Sequence, residues 1–180
     1  MQKTMQRLGE AGLDGEQDDR SLLAPFPDLP GFLRALLVAD GTVTSLLGAY
    51  FDEPIRVSCV EQDEVTLDFA IPVLQMNAGE SVFWRGVTLA GEETGRQYAT
   101  AFSLLNPANI QPRLFQDLIS DNVGMGEVLR NSRRGSYRRV LRVFRDEDRN
   151  VSRTYMVYLE GLPTILITET FDVSCFQASA

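Results

Sequence analysis

Two strand-length stretches separated by only five residues constrain this chain more than any other feature. Residues 81–90 and 96–105 both alternate in strand fashion, and Gly91-Glu92-Glu93-Thr94-Gly95 lies between them. A parallel pair needs a crossover of about a dozen residues or more, so a gap this short makes the two an antiparallel hairpin. The pattern repeats later in the chain. Residues 137–145 and 151–160 form a second hairpin around a charged tip at 146–150, and Gly161-Leu162-Pro163 turns the chain into a last strand over 164–171. Earlier, Ile55, Val57 and Cys59 share one face of a strand over 55–62, and Val65, Leu67, Phe69 and Ile71 alternate as a second strand up to Pro72.

Helices gather near the start. Asp28 is placed to cap a helix with Pro30 in its first turn, running to about Val38 and broken by Asp40-Gly41. Thr42 is placed to cap the next one, in which Val43, Leu46, Leu47, Tyr50 and Phe51 fall on one stripe. Leu114, Phe115, Leu118 and Ile119 suggest a short helix between Pro112 and Ser120, and Gly124-Met125-Gly126 turns into a helical stub at Val128 and Leu129. Helices packed with antiparallel strands make an α+β fold. Residues 1–24, with Gly9, Gly12 and Gly15 among scattered acids, read as a frayed lead-in, and residues 25–180 as one domain.

Composition removes several functions. The net charge of −8 argues against nucleic acid or an anionic membrane as the main partner. No histidine is present, which excludes Ser-His-Asp and Cys-His nucleophile pairs and histidine-based metal sites. Cys59 and Cys175 are far apart, with no CxxC spacing, so neither a disulfide framework nor a zinc site is expected. Proton transfer is left to carboxylates, tyrosine, cysteine or water. The polar start lacks the apolar stretch of a signal peptide, and no run approaches the roughly 20 apolar residues of a membrane helix. A cytoplasmic protein is expected.

Strand parity isolates two charges. In the strand from Ser81, Phe83, Arg85, Val87 and Leu89 share a face; in the last strand, Ile165, Ile167, Glu169 and Phe171 do. Burying a lone charge costs on the order of several kcal/mol, so such residues persist where they are paired, hydrogen-bonded or used. Either alone reads most simply as half of an internal ion pair or as a side chain snorkelling to a rim. Two of opposite sign, in a chain without histidine, point to a pocket for a small carboxylate. The arginine would fork onto the ligand, and burial would suit the glutamate to exchange a proton near neutrality. Gly124 and Gly126 either make a simple turn or let backbone N–H groups approach a ligand. Arg153 shares parity with Tyr155, Val157 and Leu159 as a third inward cation, whereas the arginines between Arg130 and Arg142 read mostly as the solvated side of a hairpin.

Four segments in order resemble the chorismate pyruvate-lyase (4-hydroxybenzoate synthase) family, in its shorter bacterial and cyanobacterial-type branch. They are Leu36-Leu37-Val38-Ala39-Asp40-Gly41-Thr42-Val43-Thr44, Trp84-Arg85-Gly86-Val87-Thr88-Leu89, Val123-Gly124-Met125-Gly126-Glu127-Val128-Leu129, and the run from Gly161-Leu162-Pro163 to Thr168-Glu169-Thr170-Phe171. The resemblance implies a single antiparallel sheet with helices packed on it, enclosing a buried ligand pocket. It implies cleavage of chorismate to 4-hydroxybenzoate and pyruvate with no metal or organic cofactor. It places the pocket arginine at Arg85, the pocket glutamate at Glu169, and the backbone contact to the ligand carboxylate at Met125 and Gly126. The family's second pocket arginine falls near Ala101, which leaves two alternatives: Arg142 or Arg153 substitutes from a neighbouring strand, or the pocket takes a different, monoanionic substrate. Two other functions stay open: a related enzyme acting on another small carboxylate in natural-product biosynthesis, and a non-catalytic effector-binding module. The sequence leaves the oligomeric state open.

Overall fold

The computed structural model describes residues 18–40, 42–120, 124–132, 135–146 and 150–177. Three helices come first: α1 (Asp19–Leu23), α2 (Gly31–Val38) and α3 (Val43–Phe51). Strands β1 (Ile55–Thr66), β2 (Ser81–Gly91) and β3 (Gln97–Leu105) follow, then α4 (Pro112–Leu118) and α5 (Met125–Asn131). The chain closes with β4 (Ser136–Arg145), β5 (Val151–Leu159) and β6 (Leu162–Phe171). The strands form one six-stranded sheet in the order β1-β2-β3-β6-β5-β4, and every pairing is antiparallel. Both expected hairpins are present, and β6 returns to lie between them.

Three apolar clusters hold the layers together. On the inner face, α2 and α3 pack Leu33, Leu36, Leu37 and Leu47 against Leu89, Ala99, Val151 and Phe171. At the other end of the same face, α4 and α5 pack Leu114, Leu118, Met125 and Leu129 against Phe83, Leu105, Val157 and Ile165. The outer face is covered by the β1–β2 connection, whose Leu67, Ile71, Leu74 and Met76 lie on Trp84, Leu104, Met156 and Leu166. Each such buried side chain contributes roughly 1.5–3 kcal/mol, which dominates the weak helix propensity of segments this short.

Several local expectations change. Residues 55–66 form a single strand, and residues 67–80 leave the sheet through the turn Pro72–Leu74. A bulge between Cys59 and Glu61 explains the altered pattern. It sets Val57 on the inner face and turns Val65 towards the outer cluster, a phase change that strict alternation cannot register. The lead-in ends in α1, where Asp18 accepts from the Ser21 N–H and Leu22 and Leu23 are buried; residues 1–17 lie outside the described residues. Asp28 does not cap α2, because Pro30 occupies the N-cap position; Asp28 accepts instead from Arg145 Nη2 at 2.7 Å. The opposite face of β6, with Thr164, Leu166, Thr168 and Thr170, is largely covered. Its hydroxyls pair across strands, Thr168 with Thr154 and Thr170 with Ser152, both at 2.7 Å.

Candidate active site

Between the two inner clusters, the strand registers set two rows of a different character. One row runs Val87, Ala101, Glu169, Arg153, each the register partner of the one before. The adjacent row runs Arg85, Ser103, Ile167, Tyr155. Over these rows lies a cavity whose empty space, open solvent at its mouth included, is about 640 Å³. Arg85, Glu169, Tyr155, Met125, Gly126 and Arg138 all line it. The four residues singled out from the sequence are therefore brought to one place.

Arg85 is 0% exposed. Its Nη1 donates to the Leu118 carbonyl and its Nη2 to the Ser120 carbonyl, both at 2.9 Å. These are the oxygens that the end of α4 leaves without intrahelical donors, so the arginine caps the helix while facing the cavity. Arg153 also binds the end of α2: its Nη1 donates to Leu36 O at 2.7 Å, which accepts from the Ala39 N–H as well, and to Ala39 O at 2.9 Å. Its Nε donates to Glu169 Oε2 at 2.7 Å. Burial works against the Arg153 charge, but Glu169 and Tyr155 more than offset it and leave the guanidinium pKa raised.

The second oxygen of Glu169, Oε1, accepts from the Tyr155 hydroxyl at 2.9 Å. Burial, and then the Glu169 charge, pushes the Tyr155 hydroxyl well above its ordinary range, so it stays a donor. Glu169 is thus ion-paired with Arg153 rather than with Arg85. The carboxylate is held by two donors from β5 and still lines the cavity.

The cavity is roofed by the start of α5. A Cβ on Gly124 would meet Val57 and Thr44 at 3.6 and 3.9 Å, whereas one on Gly126 would meet Thr42 at 3.0 Å and Arg138 Nη2 at 3.6 Å. Val57 belongs to one edge strand of the sheet and Arg138 to the other. The sheet therefore curls until both edges meet one turn of helix. Thr42 holds the N-cap position of α3 as expected, but its side chain makes no capping bond and lines the cavity.

Two expectations about arginine need correction. Arg142 is not in the cavity, because a bulge between Val140 and Arg142 rotates the strand. Arg142 then faces the outer groove, with its guanidinium 4.5 Å from the Phe144 ring. Arg153 does point inward, although its nearest anion is Glu169. Arg138, placed among the solvated arginines by sequence, lines the cavity together with Arg85; its signal was a parity shared with Val140, hidden by the bulge that follows. Ala101 lines the same cavity. Gly41 and Val123, quoted in the resemblance, lie outside the described residues. Among the described residues no cluster of three or more metal-ligating side chains occurs, and no helix is long and apolar enough to cross a membrane. Cys59 and Cys175 are free thiols.

The chain is 26% identical over 159 residues to a chorismate pyruvate-lyase of Mycobacterium leprae, a match covering 81% of this chain and 76% of that protein. Among solved structures, the fold is similar to the effector domain of PhnF from Mycobacterium smegmatis, with a TM-score of 0.57 and 12% identity, covering 74% of this chain and 90% of that one. A second PhnF structure from the same organism gives a TM-score of 0.57 and 10% identity, covering 94% and 93% of the two chains. The profile of the chorismate pyruvate-lyase Rv2949c-like family matches residues 37–178, and the chain belongs to that family.

Proposed function

We propose that the protein is a chorismate pyruvate-lyase, converting chorismate to 4-hydroxybenzoate and pyruvate in the cavity between the two inner clusters. The observation that carries this reading is the convergence of Arg85, Glu169 and the Met125–Gly126 backbone on that one cavity. Arg85, already oriented by the end of α4, would meet the ring carboxylate together with N–H groups at the start of α5. Glu169 would take up the proton on the ring carbon that carries the hydroxyl. The electron pair of that C–H bond becomes a ring double bond. The neighbouring ether C–O bond breaks, and its pair leaves with enolpyruvate, which gains a proton at its methylene carbon to become pyruvate. Tyr155 and Arg153 would hold the carboxylate in place throughout.

Aromatisation supplies the driving force, so the protein mainly has to position the substrate and exclude water. This reading needs no cofactor. The test is to incubate the purified chain with chorismate and quantify both products. Equal amounts of 4-hydroxybenzoate and pyruvate are expected. Glu169→Gln should lower kcat by about 10²–10⁴, the usual weight of a general base. Arg85→Ala should lower kcat/KM by at least about a hundredfold, as loss of a preorganised donor does. A folded wild-type chain that forms neither product contradicts the reading, and so do variants with full activity.

A further inference from the structure

We infer that Arg138, on the edge strand β4, is the specificity-determining cation that recognises the second carboxylate of a dicarboxylate substrate at the cavity mouth. The inference rests on the lyase reading and deepens it. Chorismate carries two carboxylates, one on the ring and one on the enolpyruvyl group. A site selective for it needs two cationic contacts, because an unmatched carboxylate loses water without gaining a partner.

The arginines near the cavity divide by what else they hold. Arg153 is 1% exposed, ion-paired with Glu169, and donates to two carbonyls at the end of α2. Drawing it towards a ligand would take the counter-charge from the buried glutamate and the guanidinium from both oxygens, so it is a fixture of the scaffold. Arg142 is on the far side of the sheet. Arg85 is wholly buried at the end of α4 and suits the deeper carboxylate.

Arg138 differs from these. Its side chain is 18% exposed, so it stands at the opening, and it lines the cavity. Its Nη1 donates to the Asp40 carbonyl at 2.9 Å and is 3.6 Å from the Asp40 carboxylate, whose side chain is 75% exposed. An ion pair this open to solvent is weak, and a ligand carboxylate can displace or share it. Nη2 lies on the other side, 3.6 Å from where a Cβ on Gly126 would be, under the roof of α5. The glycine keeps that space open, since even a Cβ there would come within 3.0 Å of the Thr42 methyl. The Arg138 charge is also felt at the Tyr155 hydroxyl, as expected of a group facing the same space. Ala101 on β3 offers a ligand no charge, and the second cation comes instead from the edge strand β4, made possible by the curl that brings β4 to α5.

The two ligands of the proposed reaction separate this role from a general one. Chorismate has both carboxylates, and 4-hydroxybenzoate keeps only the one on the ring. Steady-state kinetics on chorismate and calorimetric binding of 4-hydroxybenzoate should be measured for wild type, Arg138→Ala and Arg138→Lys. Arg138→Ala should raise KM for chorismate about tenfold to a hundredfold, the value of one charge-assisted contact, and leave 4-hydroxybenzoate affinity within about threefold. Arg138→Lys should restore part of the loss. Should the alanine variant fail to fold, Arg138→Gln, which keeps a donor for the Asp40 carbonyl, carries the same expectation. An unchanged KM in a wild-type chain that does turn over chorismate overturns this inference alone, as does an equal loss for both ligands. A wild-type chain without lyase activity removes the reading beneath it, and the inference with it.

Discussion

A carboxylate almost out of reach of water needs its counter-charge at hydrogen-bonding distance, and at Glu169, which is 6% exposed, Arg153 provides it. Removing one member of such a pair leaves the other charged and buried, which costs about 3–5 kcal/mol, whereas replacing both with apolar groups is often close to neutral. Arg153→Met should therefore lower unfolding free energy by about 3–5 kcal/mol in urea titrations, and the double variant Arg153→Met/Glu169→Met should recover about half of that or more. The recovery is incomplete because the Leu36 and Ala39 carbonyls still lose the hydrogen bonds from the guanidinium. A double variant no more stable than the single one would show that the pair's charges are not what matters. Parity along two strands was enough to find Arg85 and Glu169 in the sequence. It could not say which cation meets Glu169, because register across a sheet depends on partners far apart in the chain.

At the level of elements, the β2–β3 hairpin depends on a residue that sequence patterning passes over. Glu53, just after α3, accepts hydrogen bonds from the Glu93 N–H at 3.1 Å, the Thr94 N–H at 3.0 Å, the Thr94 hydroxyl at 2.8 Å and the Tyr98 hydroxyl. A Cβ on Gly91 would overlap the carboxylate, so glycine there is a steric requirement of the clamp. The Tyr98 bond foremost, with those from Thr94 and Glu93, lowers the Glu53 pKa from 4.5 to about 2. A folded value below the unfolded one adds stability that is complete above the unfolded pKa and is lost as pH falls through the folded one. Glu53→Gln should therefore lower Tm at neutral pH, and its gap to wild type should shrink as pH falls from 4.5 to about 2. A gap that stays constant over that window in thermal melts contradicts the assignment. Both hairpins and the helices α2, α3 and α4 were legible from turn spacing and apolar stripes. The bulges in β1 and β4 were not, since a single inserted residue inverts every later side chain without altering composition.

For the whole molecule, the arrangement follows from two apolar clusters anchoring opposite ends of one sheet face. Where the two clusters meet, two rows of the sheet bring Arg85, Ser103, Ala101 and Glu169 to the cavity. Closure comes from curvature: β1 and β4, the outermost strands, both reach the first turn of α5. Curvature of this kind left little trace in the sequence beyond Gly124 and Gly126. A crystal structure of the chain with bound 4-hydroxybenzoate tests this account most directly. The aromatic ring should lie between the two clusters, its carboxylate at Arg85 and the Met125–Gly126 backbone and its hydroxyl at Glu169. Density for the ligand anywhere else, or none in this cavity at saturating concentration, would contradict it.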